Sequence, residues 1–238
     1  METNYTNELA RNKRLNILKI LKYILKILKW SVFALIAFIL TVFIYFEINE
    51  IPIYNPKVAY KFILGNTNYK QYENLSEKLG YLKSDKLLIL HADDIGLSKS
   101  VNQASFKALK EGLVNSGSVM MPCDFIEDVG EFAINNPDID LGIHLTVTSE
   151  WRDYKWDGVA DSFQITSMID KRGNLFENKK KFTLNASSKD LKKELQAQID
   201  LAKSIGIKPT HIDSHEGALF FDQNIFKTYL EIGEENQL

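Results

Sequence analysis

The sequence contains little cysteine and histidine, and its net charge is close to zero. The single cysteine, Cys123, excludes an intramolecular disulfide and does not have the spacing of a zinc cluster. A formal net charge of −2 does not indicate a basic surface of the kind that binds nucleic acid. We therefore expect no nucleic-acid partner, and 238 residues suggest one domain with additional segments.

Acidic residues are absent from residues 11–29, and charge of either sign is absent from residues 30–46. The lysines of the first stretch recur at helical spacing, which is typical of a basic amphipathic helix on an anionic membrane leaflet. The uncharged stretch has Trp30 and Tyr45 near its two ends, where interfacial aromatic residues are common. These features predict a basic segment over residues 1–29 and a transmembrane helix over residues 30–46.

The asymmetry of charge also predicts the orientation of this helix. Positively charged flanks stay in the cytoplasm, so the N-terminus is expected there, and everything after residue 50 is expected outside it. The alternatives are a buried core helix and a cleaved signal peptide. Core helices seldom run so long without a polar face, and no small-x-small cleavage site follows Phe46. We therefore expect a single-pass membrane protein with an extracytoplasmic domain.

We predict that residues 47–84 form a linker with a short helix that ends near Gly80. The pattern of apolar residues changes from residue 85 onward. Apolar strands then alternate with amphipathic helices. Strands are predicted over 86–94, 116–122, 139–147 and 208–215, and helices over 98–112, 125–137, 189–206 and 223–235. Ser98 is a favourable N-cap for the first of these helices. The alternation predicts an α/β domain with parallel strands over residues 85–238.

All four histidines lie near the ends of predicted strands, in HADD (91–94), GIHLT (142–146) and HIDSH (211–215). A lone histidine is more often a satisfied core or surface residue, and an aspartate at a strand end is often a helix cap. Parallel strands, however, bring their carboxyl ends to one edge of the sheet. Two imidazoles and a carboxylate at such an edge can bind a divalent metal ion.

Asp93 and Asp94 stand side by side after an apolar run, where unpaired carboxylates are costly to bury. A bound cation would offset that cost. Alternate residues of a strand point to opposite faces, so His91 and Asp93 share one face and Asp94 points to the other. We expect one aspartate to ligate the ion and the other to stay beside it as a base. His211 and Asp213 either line the site or orient its ligands.

With HADDIGLS at 91–98, GIHLT at 142–146 and PTHIDSH at 209–215, the chain resembles the YdjC-like (ChbG/HpnK) carbohydrate deacetylase family over about residues 85–235. The resemblance implies an irregular (β/α) barrel, a divalent metal ion, Mg²⁺ or Zn²⁺, and hydrolysis of N-acetyl groups on amino sugars or oligosaccharides. Family domains continue further than this chain, so we expect a barrel that is incomplete at its C-terminus. A fragment, a shortened reading frame and a chain completed by a partner, including a homo-oligomer, stay open as alternatives.

The resemblance also implies roles for individual residues. Asp94, His144 and His215 correspond to metal ligands, and Asp93 corresponds to the general base. His211 is a candidate general acid that protonates the leaving amine.

Three aromatic residues, Trp151, Tyr154 and Trp156, lie in the loop after the second motif. They predict stacking on sugar rings or, equally, packing against the barrel rim. Glu216 follows the third motif and is a candidate substrate-binding residue, the alternative being a solvated charge. The leading hypothesis is therefore a membrane-anchored, metal-dependent hydrolase of carbon–nitrogen bonds that acts on acetylated amino sugars.

Two other functions fit some of the same residues. An incomplete barrel on an anchor could be a non-catalytic or remnant sugar-binding domain. Two histidines and a carboxylate also hold Fe(II) in oxygenases. That site usually lies in a double-stranded β-helix, which the alternation of strands and helices does not favour.

Overall fold

The computed structural model describes residues 2–48 and 75–238. The chain divides into two compact units, Met1–Asn66 and Thr67–Leu238. Side chains of the first unit are described for Lys19 and residues 21–45. Most of the predicted linker over residues 47–84 therefore lies outside the described residues.

The first unit contains one uninterrupted helix, α1 (Glu2–Ile48), which joins the predicted basic segment and the predicted span. Within it, the 25 residues Leu21–Tyr45 are long and apolar enough to cross a membrane, and none of them is buried. At 1.5 Å per residue this stretch is about 37 Å long, close to the thickness of a bilayer with its interfaces. A signal sequence meets the same criterion of length and composition.

The second unit is an α/β domain, as predicted. In chain order its elements are α2 (Leu75–Lys78), β1 (His91–Ile95), α3 (Lys99–Lys110), β2 (Ser116–Val119), α4 (Ile126–Asn135), β3 (Leu141–Leu145), α5 (Lys179–Asn185), α6 (Ser188–Ser204), β4 (Ile212–Ser214) and α7 (Gln223–Asn236). In this part of the chain the strands form one parallel sheet in the order β1-β2-β3-β4. Strand order that follows chain order, with helices between strands, is the arrangement found in (β/α) barrels.

Capping residues explain where the helices begin. Val101 N donates to Ser98 Oγ at the start of α3 (3.3 Å), as predicted. Asp190 N donates to Ser187 Oγ at the start of α6 (3.2 Å). Each bond satisfies a backbone N–H that the first turn of a helix leaves without a partner.

The first strand is shorter than predicted, because it begins at His91 rather than at residue 86. Leu87, Leu88, Ile89 and Leu90 are 47–72% exposed. The ladder with β2 begins only where Ser116 lies opposite His91. The residues before Ser116 form a turn, so they offer no extended neighbour to the apolar run. Leu90 instead exchanges hydrogen bonds with Asn115.

The core of this unit lies between the sheet and the helices. Leu191, Leu195, Ile199 and Ala202 recur on one face of α6 and are fully buried, in agreement with the amphipathic helix predicted over residues 189–206. A helix that buries four apolar side chains in this way is held mainly by packing rather than by its own propensity.

Two buried polar residues of α6 connect the helix to the loop after β3. Gln198 accepts from Thr146 N (3.0 Å) and donates to Thr146 O (2.7 Å). Glu194 accepts from Val159 N and Ala160 N (2.9 Å each) and from Gln198 Nε2 (2.8 Å). Burial raises the pKa of Glu194, although these three donors act against the rise.

Candidate metal centre

Asp94, His144 and His215 bring one oxygen and two nitrogen atoms together at the carboxyl ends of β1, β3 and β4. Asp94 Oδ1 lies 3.4 Å from His144 Nε2 and 3.2 Å from His215 Nδ1. The three ligand atoms all lie within 4.8 Å of one another. Atoms bound to one ion at distances of about 2.0–2.2 Å, with bond angles of about 90–110°, lie about 3.0–3.4 Å apart. The spacing to Asp94 therefore fits a shared metal ion.

The backbone at the end of β1 explains how Asp94 reaches this position. Asp94 has a φ of 59°, and the register between β1 and β2 shifts between Ala92 and Ile95. A left-handed conformation costs about 1–3 kcal/mol for a residue other than glycine, and such strain is concentrated at functional sites. The irregularity interrupts the strand at the residue that meets both histidines.

The imidazole of His144 is buried and oriented by Asp213. His144 Nδ1 donates to Asp213 Oδ1 at 2.7 Å, so Nε2 faces Asp94. Hydrogen bonds of this kind to the distal nitrogen fix the ring orientation of metal-binding histidines. Asp213 thus has the contact expected of a residue that orients a ligand, which is one of the two alternatives considered for it.

The electrostatics of the cluster reflect close pairing of opposite charges. The neighbouring imidazoles of His144 and His215 hold the pKa of Asp94 well below its usual range. Burial alone would lower the pKa of His144 and of His215, but their carboxylate neighbours raise both to about 9. A bound cation would take over the role of these imidazolium protons, because metal ligands must be deprotonated.

His215 supplies the observation that best fits a metal ion. Its Nδ1 is buried and has no hydrogen-bond partner, since the contact with Asp94 Oδ1 lacks hydrogen-bond geometry. Its Nε2 lies 3.2 and 3.3 Å from the two carboxylate oxygens of Glu150. A buried ring nitrogen without a partner is costly, and ligation would satisfy it. Sequence reasoning missed Glu150, whose only signal is its position six residues after His144.

A second cluster, formed by His91, Asp93 and Asp213, adjoins the first. His91 Nε2 lies 3.4 Å from Asp93 Oδ1 and 3.4 Å from Asp213 Oδ2. Asp93 is largely exposed, with 61% of its side chain accessible. Asp213 belongs to both clusters, because its other oxygen binds His144. The arrangement leaves Asp93 open to solvent beside the three candidate ligands.

His211 does not join the candidate ligands. Its Nδ1 lies 2.9 Å from Thr210 Oγ1, its ring meets that of His91 at 5.3 Å, and it packs against the backbone of Gly142. The reason is its position along the strand, two residues or about 6.6 Å before Asp213. These contacts do not favour His211 as the general acid.

The predicted sugar-binding residues in the loop after β3 differ in how exposed they are. Trp156 is only 3% exposed, and its Nε1 donates to Thr148 O (2.8 Å), so the packing alternative describes it. Trp151 is 49% exposed and meets Tyr154 edge to face. Stacking on sugar remains a prediction for these two. The carboxylate of Glu216 lies 3.9 Å from Lys179 Nζ.

Comparison with known proteins confirms the resemblance found in the sequence. Residues 87–238 match the family model described as YdjC-like protein. The chain is 34% identical to a carbohydrate deacetylase of Thermus thermophilus over 165 residues, covering 69% of this chain and 56% of the relative. It is 32% identical to a chitooligosaccharide deacetylase of Yersinia enterocolitica over 136 residues, covering 55% and 49%.

A solved structure gives the same result for the fold. The crystal structure of an Enterococcus faecalis protein named for cellobiose-phosphate cleavage superposes with a TM-score of 0.59 at 27% identity, and the match covers 65% of this chain and 58% of that one. The chain spans a little more than half the length of the first curated relatives, 58% and 56%.

Proposed function

Because this chain belongs to the YdjC-like protein family, we propose that it hydrolyses N-acetyl groups on amino sugars or oligosaccharides with the help of a divalent metal ion. The observation that carries the proposal is the meeting of Asp94, His144 and His215 beside the exposed carboxylate of Asp93. The names of the relatives, carbohydrate deacetylase and chitooligosaccharide deacetylase, support the substrate class.

The three candidate ligands would hold the ion through Asp94 Oδ1, His144 Nε2 and His215 Nδ1. This donor set suits Zn²⁺, and it suits Mg²⁺ when water fills further positions. When bound, the ion supplies Lewis-acid polarisation of the acetamide carbonyl and lowers the pKa of water. Three protein ligands leave positions open for substrate and water, as hydrolytic sites require.

Asp93 acts as the general base in this proposal. It is adjacent in sequence to the ligand Asp94, and it is exposed enough to meet a water molecule and the substrate. Asp93 accepts a proton as the water oxygen bonds to the acetamide carbon. The carbon–nitrogen bond then breaks as the nitrogen takes the proton that Asp93 accepted, and acetic acid and the free amine are released.

Trp151 and Tyr154 are the proposed stacking residues for sugar rings. Trp151 is exposed, and Tyr154 is held in place because its hydroxyl accepts from Asp124 N (3.2 Å). Glu216 follows the ligand His215 directly and is proposed to line the rim. The oxygenase alternative depends on a double-stranded β-helix, whereas the domain contains a parallel sheet with helices between its strands.

Helix α1 is the proposed membrane anchor, with the N-terminus in the cytoplasm and the deacetylase-like domain outside it. Its uncharged stretch and the basic residues before it support this topology. The full chain should resist alkaline extraction from membranes. Protease added to intact spheroplasts should digest the domain. Protection from protease would indicate the opposite orientation, with the domain in the cytoplasm.

The decisive experiment measures acetate release from N-acetylglucosamine oligomers by the full chain in detergent, with added Mg²⁺ or Zn²⁺. The control variants are Asp93→Asn and His144→Ala. Release that depends on the metal ion and is lost in both variants is the expected result. Binding of the ion without release over a panel of N-acetyl sugars would contradict catalysis and favour the sugar-binding alternative.

A further inference from the structure

We infer that Glu150 is a positioning residue that sets the tautomer of His215, so that the two histidines of the metal centre ligate through opposite ring nitrogens. The inference rests on the proposed function only in taking Asp94, His144 and His215 as the ligands. It concerns a residue that the sequence motifs do not include.

The contact between Glu150 and His215 determines which ring nitrogen carries the proton. Both carboxylate oxygens of Glu150 lie 3.2–3.3 Å from His215 Nε2. A carboxylate only accepts hydrogen bonds, so Nε2 carries the proton and donates it. The lone pair of the neutral ring then lies on Nδ1, which is buried, has no hydrogen-bond partner and faces Asp94 Oδ1 at 3.2 Å.

His144 has the reverse arrangement. Its Nδ1 donates to Asp213 Oδ1 at 2.7 Å, and its Nε2 faces Asp94. In each histidine–carboxylate pair, the two residues come from, or directly follow, neighbouring strands. The histidine in β3 is oriented by a carboxylate in β4, and the histidine after β4 is oriented by a carboxylate after β3. Both lone pairs therefore converge on the same carboxylate oxygen.

The loop that carries Glu150 is held at the preceding residue, Ser149. Ser149 N donates to Phe176 O (2.8 Å), and Ser149 Oγ accepts from Trp156 N (3.0 Å). Lys155 Nζ donates to Ser149 O. Thr148 and Ser149 are fully buried, whereas the side chain of Glu150 is 23% exposed. Glu150 thus follows a buried, hydrogen-bonded residue and reaches His215 from it.

Trp156 completes the contact with His215. Its indole meets the imidazole at 72° with ring centroids 6.4 Å apart, and its Nε1 is held by Thr148 O. Hydrogen bonding by Glu150 and packing by Trp156 together restrict rotation of the His215 ring. A ligand that is fixed before the ion arrives loses less entropy on binding it.

The alternative role for Glu150 is direct contact with the substrate, for example as a proton donor to the leaving amine. In that role its removal would lower turnover and leave the affinity for the metal ion unchanged. In a positioning role, by contrast, removal of Glu150 would lower the affinity for the metal ion. Partners of this kind typically contribute 10–100-fold to metal affinity.

The test is calorimetric titration of the full chain in detergent with Zn²⁺, for the wild type and for Glu150→Ala, Glu150→Gln and Asp153→Asn. Glu150→Ala should weaken binding by about 10–100-fold. Glu150→Gln retains an oxygen that can accept from Nε2 and should restore most of the affinity. Asp153→Asn neutralises an exposed carboxylate of the same loop and is the matched control.

A second readout reports the tautomer directly. Nitrogen-15 spectra of the histidine rings in the Zn²⁺-loaded chain should show the His215 proton on Nε2 and the coordinated nitrogen at Nδ1, in the wild type and in Glu150→Gln. Because Glu150→Gln keeps the side-chain volume, it also serves if Glu150→Ala does not fold.

Three results would overturn the inference. The first is unchanged Zn²⁺ affinity in Glu150→Ala, and the second is a proton on Nδ1 of His215 in the Zn²⁺-loaded wild type. In the third, the wild type binds no Zn²⁺, which would overturn the metal centre as well. Weakened binding in a chain that releases no acetate would instead support the inference while contradicting the proposed hydrolysis.

Discussion

Asp93 and Asp94 are consecutive in the chain, yet their carboxylates face different histidines. Asp94 lies between His144 and His215, whereas Asp93 faces His91. Consecutive residues of a strand point to opposite faces, and Asp94 in addition has a positive φ. The two like charges are placed in two clusters with separate partners.

This separation predicts different effects for two matched substitutions. Asp94→Asn removes a charged ligand and should weaken binding of Zn²⁺ by more than about 100-fold, beyond the loss typical of an orienting partner. Asp93→Asn should leave the affinity for Zn²⁺ nearly unchanged but lower turnover by about 10²–10⁴-fold, the usual contribution of a general base. Calorimetry and acetate release measure the two quantities. Equal loss of metal affinity in both variants would contradict the division of roles.

We predict that the ring of His211 leaves no room for a side chain at position 142. A Cβ at position 142 would lie 2.4–2.6 Å from three atoms of that ring. Gly142→Ala should therefore destabilise the domain by about 1–3 kcal/mol, as overpacking does. Denaturant unfolding of the full chain measures this loss. In the double variant with His211→Ala the cost should be smaller than the sum of the single costs, and additive costs would show that the two residues do not interact.

We predict that the contribution of Glu194 to stability falls as the pH rises. Its pKa is raised by burial above the ordinary value of 4.5, so the folded state holds more protons than the unfolded state across this window. Stability from this group is therefore full below pH 4.5 and is lost as the pH rises through the raised pKa. The free energy of unfolding of the wild type, minus that of Glu194→Gln, should fall over this range and then level off.

Denaturant unfolding at several pH values measures this difference, in which other titrating groups cancel. Glu131→Gln on the exposed side of α4 is the control for removal of one negative charge. A difference for Glu194→Gln that rises with pH would contradict the expected sign.

Cys123 is predicted to react only when the domain unfolds. Burial raises the pKa of its thiol to about 12, and the thiolate is the reactive form. A thiol reagent at pH 8 should modify the folded chain at least about a thousandfold more slowly than the unfolded chain, in keeping with the small unfolded fraction of a stable domain. Because the chain contains one cysteine, the rate has a single origin. Similar rates in buffer and in denaturant would show that Cys123 is accessible in the folded state.

Local signals in the sequence predicted the elements of the domain well. Ser98 at the start of α3 and the apolar face of α6 are encoded by residues close together in the chain, and both are found in the structure. The three motifs also converge as expected, because parallel strands end at a common edge. Helix α5 was missed, since its sequence KKKFTLN places one buried residue, Phe182, among polar neighbours.

The remaining differences depend on contacts between distant residues. The apolar run Leu87–Leu90 has the composition of a buried strand, but the neighbouring backbone begins to pair only at His91. The burial of Trp156 depends on the path of a long loop, which no periodicity encodes. The left-handed backbone of Asp94 is likewise invisible in a residue pattern, although it determines which histidines this carboxylate meets.

Gln198 gives α6 a mechanical role in the site. Its amide pairs with both the N–H and the C=O of Thr146, as an adjacent strand would, so the backbone after β3 is braced by a side chain. A shift of α6 along its axis would pull Thr146 with it, and His144 stands only two residues earlier. The position of His144 therefore depends on α6, although this helix contributes no group to the metal centre.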